Sequence, residues 1–246
     1  MHRVLSFTAR AAALVFLSAP VSAQSLDDVI ALNLKSKGGL EKIRATETVR
    51  MTGTIVARDP SGQNMKATMV ILARRPNLMR RETTMNGQHA VMAFDGKTFW
   101  MARGDGPPQQ LPGPQAAYAM QDAEFDSVFV DYKEKGNKIA LAGKETLDGR
   151  PVYHLTVVKK TGPVQDFYLD ADTGLEKKIS VRVVTPDQPA VTFVTEMSDY
   201  RDVDGRQIPF KTVQSQNGVA VTTVTLDKVE FNVPADDSVF RMPPAK

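Results

Sequence analysis

The chain has no cysteine in 246 residues, a single tryptophan and only three histidines, and its aromatic fraction is 7%. Without cysteine it can form no disulfide, no thiolate metal ligand and no thiol nucleophile, and it has no attachment point for thioether-linked lipid. The shortage of histidine is nearly as restrictive. His2 stands at the extreme N-terminus. His89 and His154 are isolated in segments that read as strands, outside any H-x-x-x-H or H-E-x-x-H spacing, so a zinc centre would have to be assembled from distant carboxylates. No G-x-S-x-G elbow is present. Asp199, Asp202 and Asp204, and the pair Asp236-Asp237, lie in turn-rich segments where aspartate serves backbone hydrogen bonding. No catalytic residue, metal or cofactor is expected.

An excess of one charge is also missing. Lysine and arginine number 31 against 28 acidic residues, and two of the basic ones, Arg3 and Arg10, precede an apolar run from Ala11 to Leu17, a helix-breaking Pro20 and the small-x-small triplet Val21-Ser22-Ala23. That order is a secretory signal peptide, residues 1–23, with cleavage before Gln24. The run is shorter than the roughly 20 apolar residues that span a bilayer, and no later segment is apolar enough to do so. The remainder is close to neutral, which removes the electrostatic motive for binding nucleic acid. Export and the absence of cysteine together point to the bacterial periplasm, where free thiols would oxidise. Residues 24–246 are expected to form one domain, a length ordinary for a single barrel or sandwich.

One stretch does carry a metal-like pattern. FYLDADTGLEKKI, Phe167 to Ile179, places Asp170, Asp172 and Gly174 at the spacing that begins a calcium-binding loop. Such a loop needs an oxygen ligand at position five, glycine at six and a bidentate glutamate at twelve. Counted from Asp170, those positions hold Gly174, Leu175 and Val181. The ligands are missing, and strand-like residues flank the stretch, so it reads as a hairpin in which Gly174 supplies a positive φ.

The rest of the pattern is mainly strand. Leu26, Val29, Ile30 and Leu34 recur at helical spacing behind Ser25 as N-cap, with Asp27 and Asp28 in the first turn and Gly38-Gly39 as the stop. From Val49 the period becomes two, and turn dipeptides such as Asn86-Gly87, Asp95-Gly96, Asp148-Gly149, Asp204-Gly205 and Asn217-Gly218 punctuate the chain every ten to fifteen residues or so. About eleven antiparallel strands are expected in a sheet that curls. A Gly/Pro-rich loop from Arg103 leads into a second helical pattern, spanning roughly Gln115 to Lys133 with Tyr118, Phe125, Val128, Phe129 and Tyr132 near one face. It reads as a lid or plug helix. Seven of the eleven methionines, Met51, Met65, Met69, Met79, Met85, Met92 and Met101, fall in the first five strands. Thioether side chains either fill a core or make an apolar surface that reshapes around varied ligands.

Several stretches together carry a resemblance: GGLEKIRATETVRMTGTI (Gly38 to Ile55), AEFDSVFVDYKEKGNKIALAGKETLDGRPVYHLTV (Ala123 to Val157), DFYLDADTGLEKK (Asp166 to Lys178), SDYRDVDGRQIPF (Ser198 to Phe210) and VEFNVPADDSVFRMP (Val229 to Pro243). In combination they resemble the bacterial outer-membrane lipoprotein-sorting proteins, the LolA/LolB-like group of periplasmic lipoprotein carriers. The resemblance implies a mainly β (α+β) fold: a curved antiparallel sheet forming an incomplete β-barrel, helices plugging its open side, and an apolar cavity between them. It also implies a soluble, non-catalytic carrier or chaperone that holds a lipid or lipoprotein acyl chain, with inner- or outer-membrane transport proteins as delivery partners. The expected lining is Met51, Ile55, Met69, Ile71, Met79, Met85, Trp100, Phe125, Phe129 and Phe193. Two rival readings differ in what they place in the concavity. A sensory or structural envelope module that binds a protein partner would have a filled barrel and an exposed apolar patch, and a hydrolase would have a polar cluster around His89 or His154.

Overall fold

In a computed structural model of the chain, residues 24–59, 61–111, 116, 123–160, 164–184 and 189–244 are described. The expected signal peptide, residues 1–23, lies outside the described residues. Helix α1 (Leu26–Ser36) starts at Ser25, whose hydroxyl accepts from the Asp28 amide while the Asp28 carboxylate accepts from the Ser25 amide. This reciprocal cap satisfies two donors that a helix start otherwise leaves open. Helix α2 (Gly39–Arg44) follows after a short break.

The strands then run β1 (Thr48–Arg58), β2 (Asn64–Arg74), β3 (Leu78–Met85), β4 (Gln88–Phe94), β5 (Phe99–Arg103) and β6 (Gln109–Gln110). After a crossing segment come β7 (Lys138–Leu147), β8 (Arg150–Val158), β9 (Val164–Asp170), β10 (Glu176–Val183), β11 (Val191–Val203), β12 (Arg206–Gln216) and β13 (Val219–Phe231), and a 3₁₀ turn at Asp237–Phe240 ends the described elements.

All the pairings are antiparallel and make one sheet of 13 strands in the order β6-β5-β4-β3-β2-β1-β13-β12-β11-β10-β9-β8-β7. Its first and last halves meet at β1 and β13, while β6 and β7 are open edges, so the sheet is not closed. The turn dipeptides explain the meander. Asn86-Gly87, Asp148-Gly149, Asp204-Gly205 and Asn217-Gly218 each have positive φ at both residues, the backbone of two-residue hairpins whose twist matches the flanking strands.

Two expectations need correction. Among the described residues there are 13 strands, not about eleven. One of them, β6, has only two glutamines paired with Trp100 and Met101, in the Gly/Pro-rich stretch that reads as loop because it shows no alternation. Of the expected helix from Gln115 to Lys133, Ala116 is helical, but the part from Ala123 onward is not. Residues 112–115 and 117–122 lie outside the description, and Ala123 to Gly136 forms successive turns and bends, with Asp131 at φ 49°. Its apolar residues have helical spacing, but its polar ones are held by bonds to distant elements, and the backbone follows those anchors.

The sheet curls. Val49 on β1, Phe231 on β13, Ile208 on β12, Met197 on β11, Ile179 on β10 and Phe167 on β9 border one cavity, whereas six strands laid flat would extend about 24 Å at ~4.8 Å spacing. The concave face of β8 and β9 receives α1: Val29, Ile30 and Leu34 are buried with Tyr153, Leu155, Val157, Phe167 and Leu169. Burial of each of those three helix side chains stabilises by about 1.5–3 kcal/mol.

The hairpin from Asp170 to Glu176 docks that helix. The Asp170 carboxylate accepts from the amides of Asp172 and Thr173 and from the Thr173 hydroxyl. Burial raises its pKa, but these bonds outweigh that and hold the group below the ordinary carboxylate range. Asn33 donates from its amide to the Gly174 carbonyl at 2.8 Å, so this motif is a helix-docking turn.

Candidate functional site in the concave face

The segment that crosses from β6 to β7 lies over the concave face and is pinned near the start of its described part. Arg75, just past β2, donates to the Asp126 carboxylate and to the carbonyls of Thr46 (2.8 Å) and Ile43 (2.7 Å). Its guanidinium also lies 4.8 Å from the centre of the Phe125 ring. One side chain thereby ties the crossing segment to the end of α2. Glu124 next door accepts from Lys135 at 2.9 Å and Lys159 at 3.1 Å. Burial pushes its carboxyl up, and the two lysines overcome that and hold it below the ordinary glutamate range. Further along, Val128, Phe129 and Val130 are buried, and the Phe129 ring meets Phe167 edge to face at 5.1 Å.

Phe125 stands between two hollows. One, of about 490 Å³, is bordered by Val128, Phe167, Ile179, Met197 and Phe231. The other, of about 460 Å³, is bordered by Met51, Ile71, Ala73, Met79, Met92 and Phe99. Val49, Glu124 and Phe125 belong to the walls of both. Each volume lies within the roughly 300–1,000 Å³ usual for small-molecule sites, and the mainly apolar walls with a few placed polar groups are also typical.

The structure distributes the ten expected lining residues unevenly. Met51, Ile71 and Met79 border the 460 Å³ hollow, and Phe125 borders both. Met69 and Ile55 share the concave face but belong to the packed cluster around Phe210, Leu226 and Val229. Met85 keeps the face of Met79 at the far end of β3, and Phe193 keeps the face of Met197 near the start of β11, both outside the walls of these hollows. Phe129 is closed into the α1 core.

Trp100 is on the opposite, convex face. It pairs with Ala93, packs with Val91, and donates from its indole nitrogen to the Phe240 carbonyl at 2.8 Å beneath the C-terminal 3₁₀ turn. Alternation forces this, because Phe99 and Met101 beside it face inward. Val49, Ala73, Met92, Phe99, Ile179 and Met197 are lining residues that were not anticipated. The signal for them was cross-strand register, since Met51, Ile71, Arg81 and Met92 are successive partners across four strands.

The polar groups considered for chemistry lie elsewhere. His154 is on the convex face, stacked on Tyr168 at 4.6 Å and bonded to Glu145 (2.7 Å) and Asp166 (3.0 Å). His89 is exposed on the same face. Among the described residues, no group of three or more His, Asp or Glu side chains is arranged to hold a metal. No described helix is long and apolar enough to cross a membrane.

No protein-family model and no curated protein sequence matches the chain. Solved structures do. A LolA-superfamily protein from Nitrosomonas europaea superposes with TM-score 0.64 at 11% identity, over 89% of this chain and 98% of that one. A DUF1329-family protein from Desulfovibrio piger gives 0.60 at 12% identity, over 87% and 96%. An outer-membrane lipoprotein-sorting protein domain from Vibrio parahaemolyticus gives 0.58 at 11% identity, over 83% and 97%. At such identities the likeness is one of fold, and the fold is LolA-like.

Proposed function

We propose, from the LolA-like fold as premise, that this chain is an exported periplasmic carrier or chaperone that shelters a lipid or lipoprotein acyl chain in its concave face. One observation supports this above the others: two mainly apolar hollows of about 490 and 460 Å³ meet at Phe125. Burying an acyl chain yields about 0.8 kcal/mol per CH₂, so such a surface gains affinity without a polar hot spot. Export would use residues 1–23 as a cleaved signal, and loading or delivery would involve envelope transport proteins. The arrangement asks nothing of nucleophiles or metals, in keeping with a non-enzymatic role.

Native mass spectrometry of the protein purified without detergent, followed by uptake of a fluorescent fatty acid, tests this reading. The expected result is a lipid-sized adduct or saturable uptake, with uptake weakened by Ala73→Phe, which fills the 460 Å³ hollow. A protein that is free of lipid and takes none up would end the proposal.

A further inference from the structure

Arg81 is the exception among the described cations that border these hollows. It sits in mid β3 between Ile71 of β2 and Met92 of β4, is half-buried, and borders the 460 Å³ hollow with Met51, Met79 and Phe99. Among the described residues, the one hydrogen bond recorded for its guanidinium runs to the Met92 sulfur at 3.4 Å. A thioether is a weak acceptor, whereas a guanidinium presents five donors and a permanent charge.

The other cations bordering these hollows or pinning the segment above them each have a carboxylate. Lys37 meets Glu176 at 2.5 Å, Lys135 and Lys159 share Glu124, Arg75 holds Asp126, and Arg206 meets Asp204 at 2.7 Å. Glu124, the acid in the described wall of that hollow, is thus committed to two lysines. A charge kept among methionine, isoleucine and phenylalanine with no counter-ion among the described residues is destabilising to the protein alone, and a half-buried guanidinium with only a thioether for a described partner calls for an explanation.

We infer that Arg81 receives the anionic headgroup, carboxylate or phosphate, of a single-chain amphiphile whose hydrocarbon lies along Met51, Ile71 and Met79 towards Phe125. The inference rests on the carrier reading and narrows it. The cargo is a free anionic lipid, not an uncharged acyl group linked to a protein. The planar fork of arginine suits two-point binding of carboxylate or phosphate oxygens, and the apolar wall strengthens that contact by excluding water.

Displacement of the neutral dye Nile red at about pH 8, where fatty carboxylates are ionised, tests it with palmitate, palmitoyl-lysophosphatidic acid and hexadecanol as competitors. For the unaltered protein, at least one anionic competitor is expected to be about tenfold or more stronger than hexadecanol, the scale of a charge-assisted bidentate bond. Whichever anion is stronger identifies carboxylate or phosphate as the preferred head. Arg81→Met is expected to bring all three level, while Arg81→Lys retains part of the preference.

Equal potency of the alcohol and both anions in the unaltered protein would overturn the inference while leaving the carrier reading intact. So would an anion preference that survives in Arg81→Met. Failure of every amphiphile, hexadecanol included, to displace the dye would remove the carrier reading and this inference with it. Should Arg81→Met not fold by circular dichroism, the comparison of anion with alcohol in the unaltered protein decides alone.

Discussion

Replacing Gly174 with alanine should damage this protein more than the same change at a similar turn glycine. Gly174 sits at φ +73°, and a Cβ there would lie 2.7 Å from the Asn33 amide nitrogen and 2.7 Å from the Leu32 carbonyl carbon, both backbone atoms of α1. Gly149 has nearly the same backbone, φ +77°, with nothing within 4 Å of a Cβ. A left-handed alanine costs about 1–2 kcal/mol, and forcing apart a packed contact costs about 1–3 kcal/mol more. The gain from restricting the unfolded chain, about 0.4–1 kcal/mol, is common to both changes and cancels in the comparison. Gly149→Ala should therefore destabilise by no more than about 1–2 kcal/mol and Gly174→Ala by about 2–5 kcal/mol. Equilibrium urea unfolding followed by circular dichroism measures both. Equal losses would refute the argument that the helix needs this glycine for close approach.

Arg75→Met should release the crossing segment. Removing one partner of a buried pair costs about 3–5 kcal/mol; with side chains here 20% and 18% exposed, about 2–3 kcal/mol is expected. Amide exchange should quicken around Phe125 and Asp126 while β8 and β9 stay protected, and unchanged exchange there would contradict the anchoring role. Trp100, the sole tryptophan and 1% exposed, should emit as a buried indole and ignore palmitate bound on the far face of the sheet. Saturable quenching by palmitate would place it in the cavity after all. For His154, partial burial lowers the pKa, but hydrogen bonds and charges from Asp166 and Glu145 outweigh it and raise the value above the ordinary imidazole range. A raised folded pKa contributes stability that is complete below about pH 6.5 and is lost as pH rises through the folded value. His154→Gln should flatten that decline in urea midpoints measured from about pH 6 to pH 9, and an unaltered slope would show that the ring's charge does not matter.

The meander was legible in the chain because its determinants are local. Asn-Gly and Asp-Gly dipeptides demand positive φ, period-two alternation marks the strands between them, and Ser25 with Asp28 marks the start of α1. The failed calcium count at Asp170 to Val181 was equally local, since missing ligands are visible in the sequence itself. The two glutamines of β6 escaped notice because a strand that short carries no period.

What tertiary structure alone decided was which partner each polar residue found and which face each apolar one used. Helical spacing from Phe125 to Tyr132 is a statement about side chains. The backbone from Ala123 instead follows Arg75 and Lys159, which are distant in sequence. Trp100 and Phe99 are equally apolar neighbours, and cross-strand register sends one under Phe240 and the other into the hollow. Met51 and Met69 both face inward, yet only the first borders empty space, because the β12–β13 core with Phe210 and Leu226 fills the volume beside the second. Arg81, one charge among 59 in the linear chain, became distinctive only when folding placed it in an apolar wall with a thioether as its partner. Alternation assigns side chains to two faces from sequence spacing, but the occupancy of the space above a face depends on chain brought from a hundred residues away.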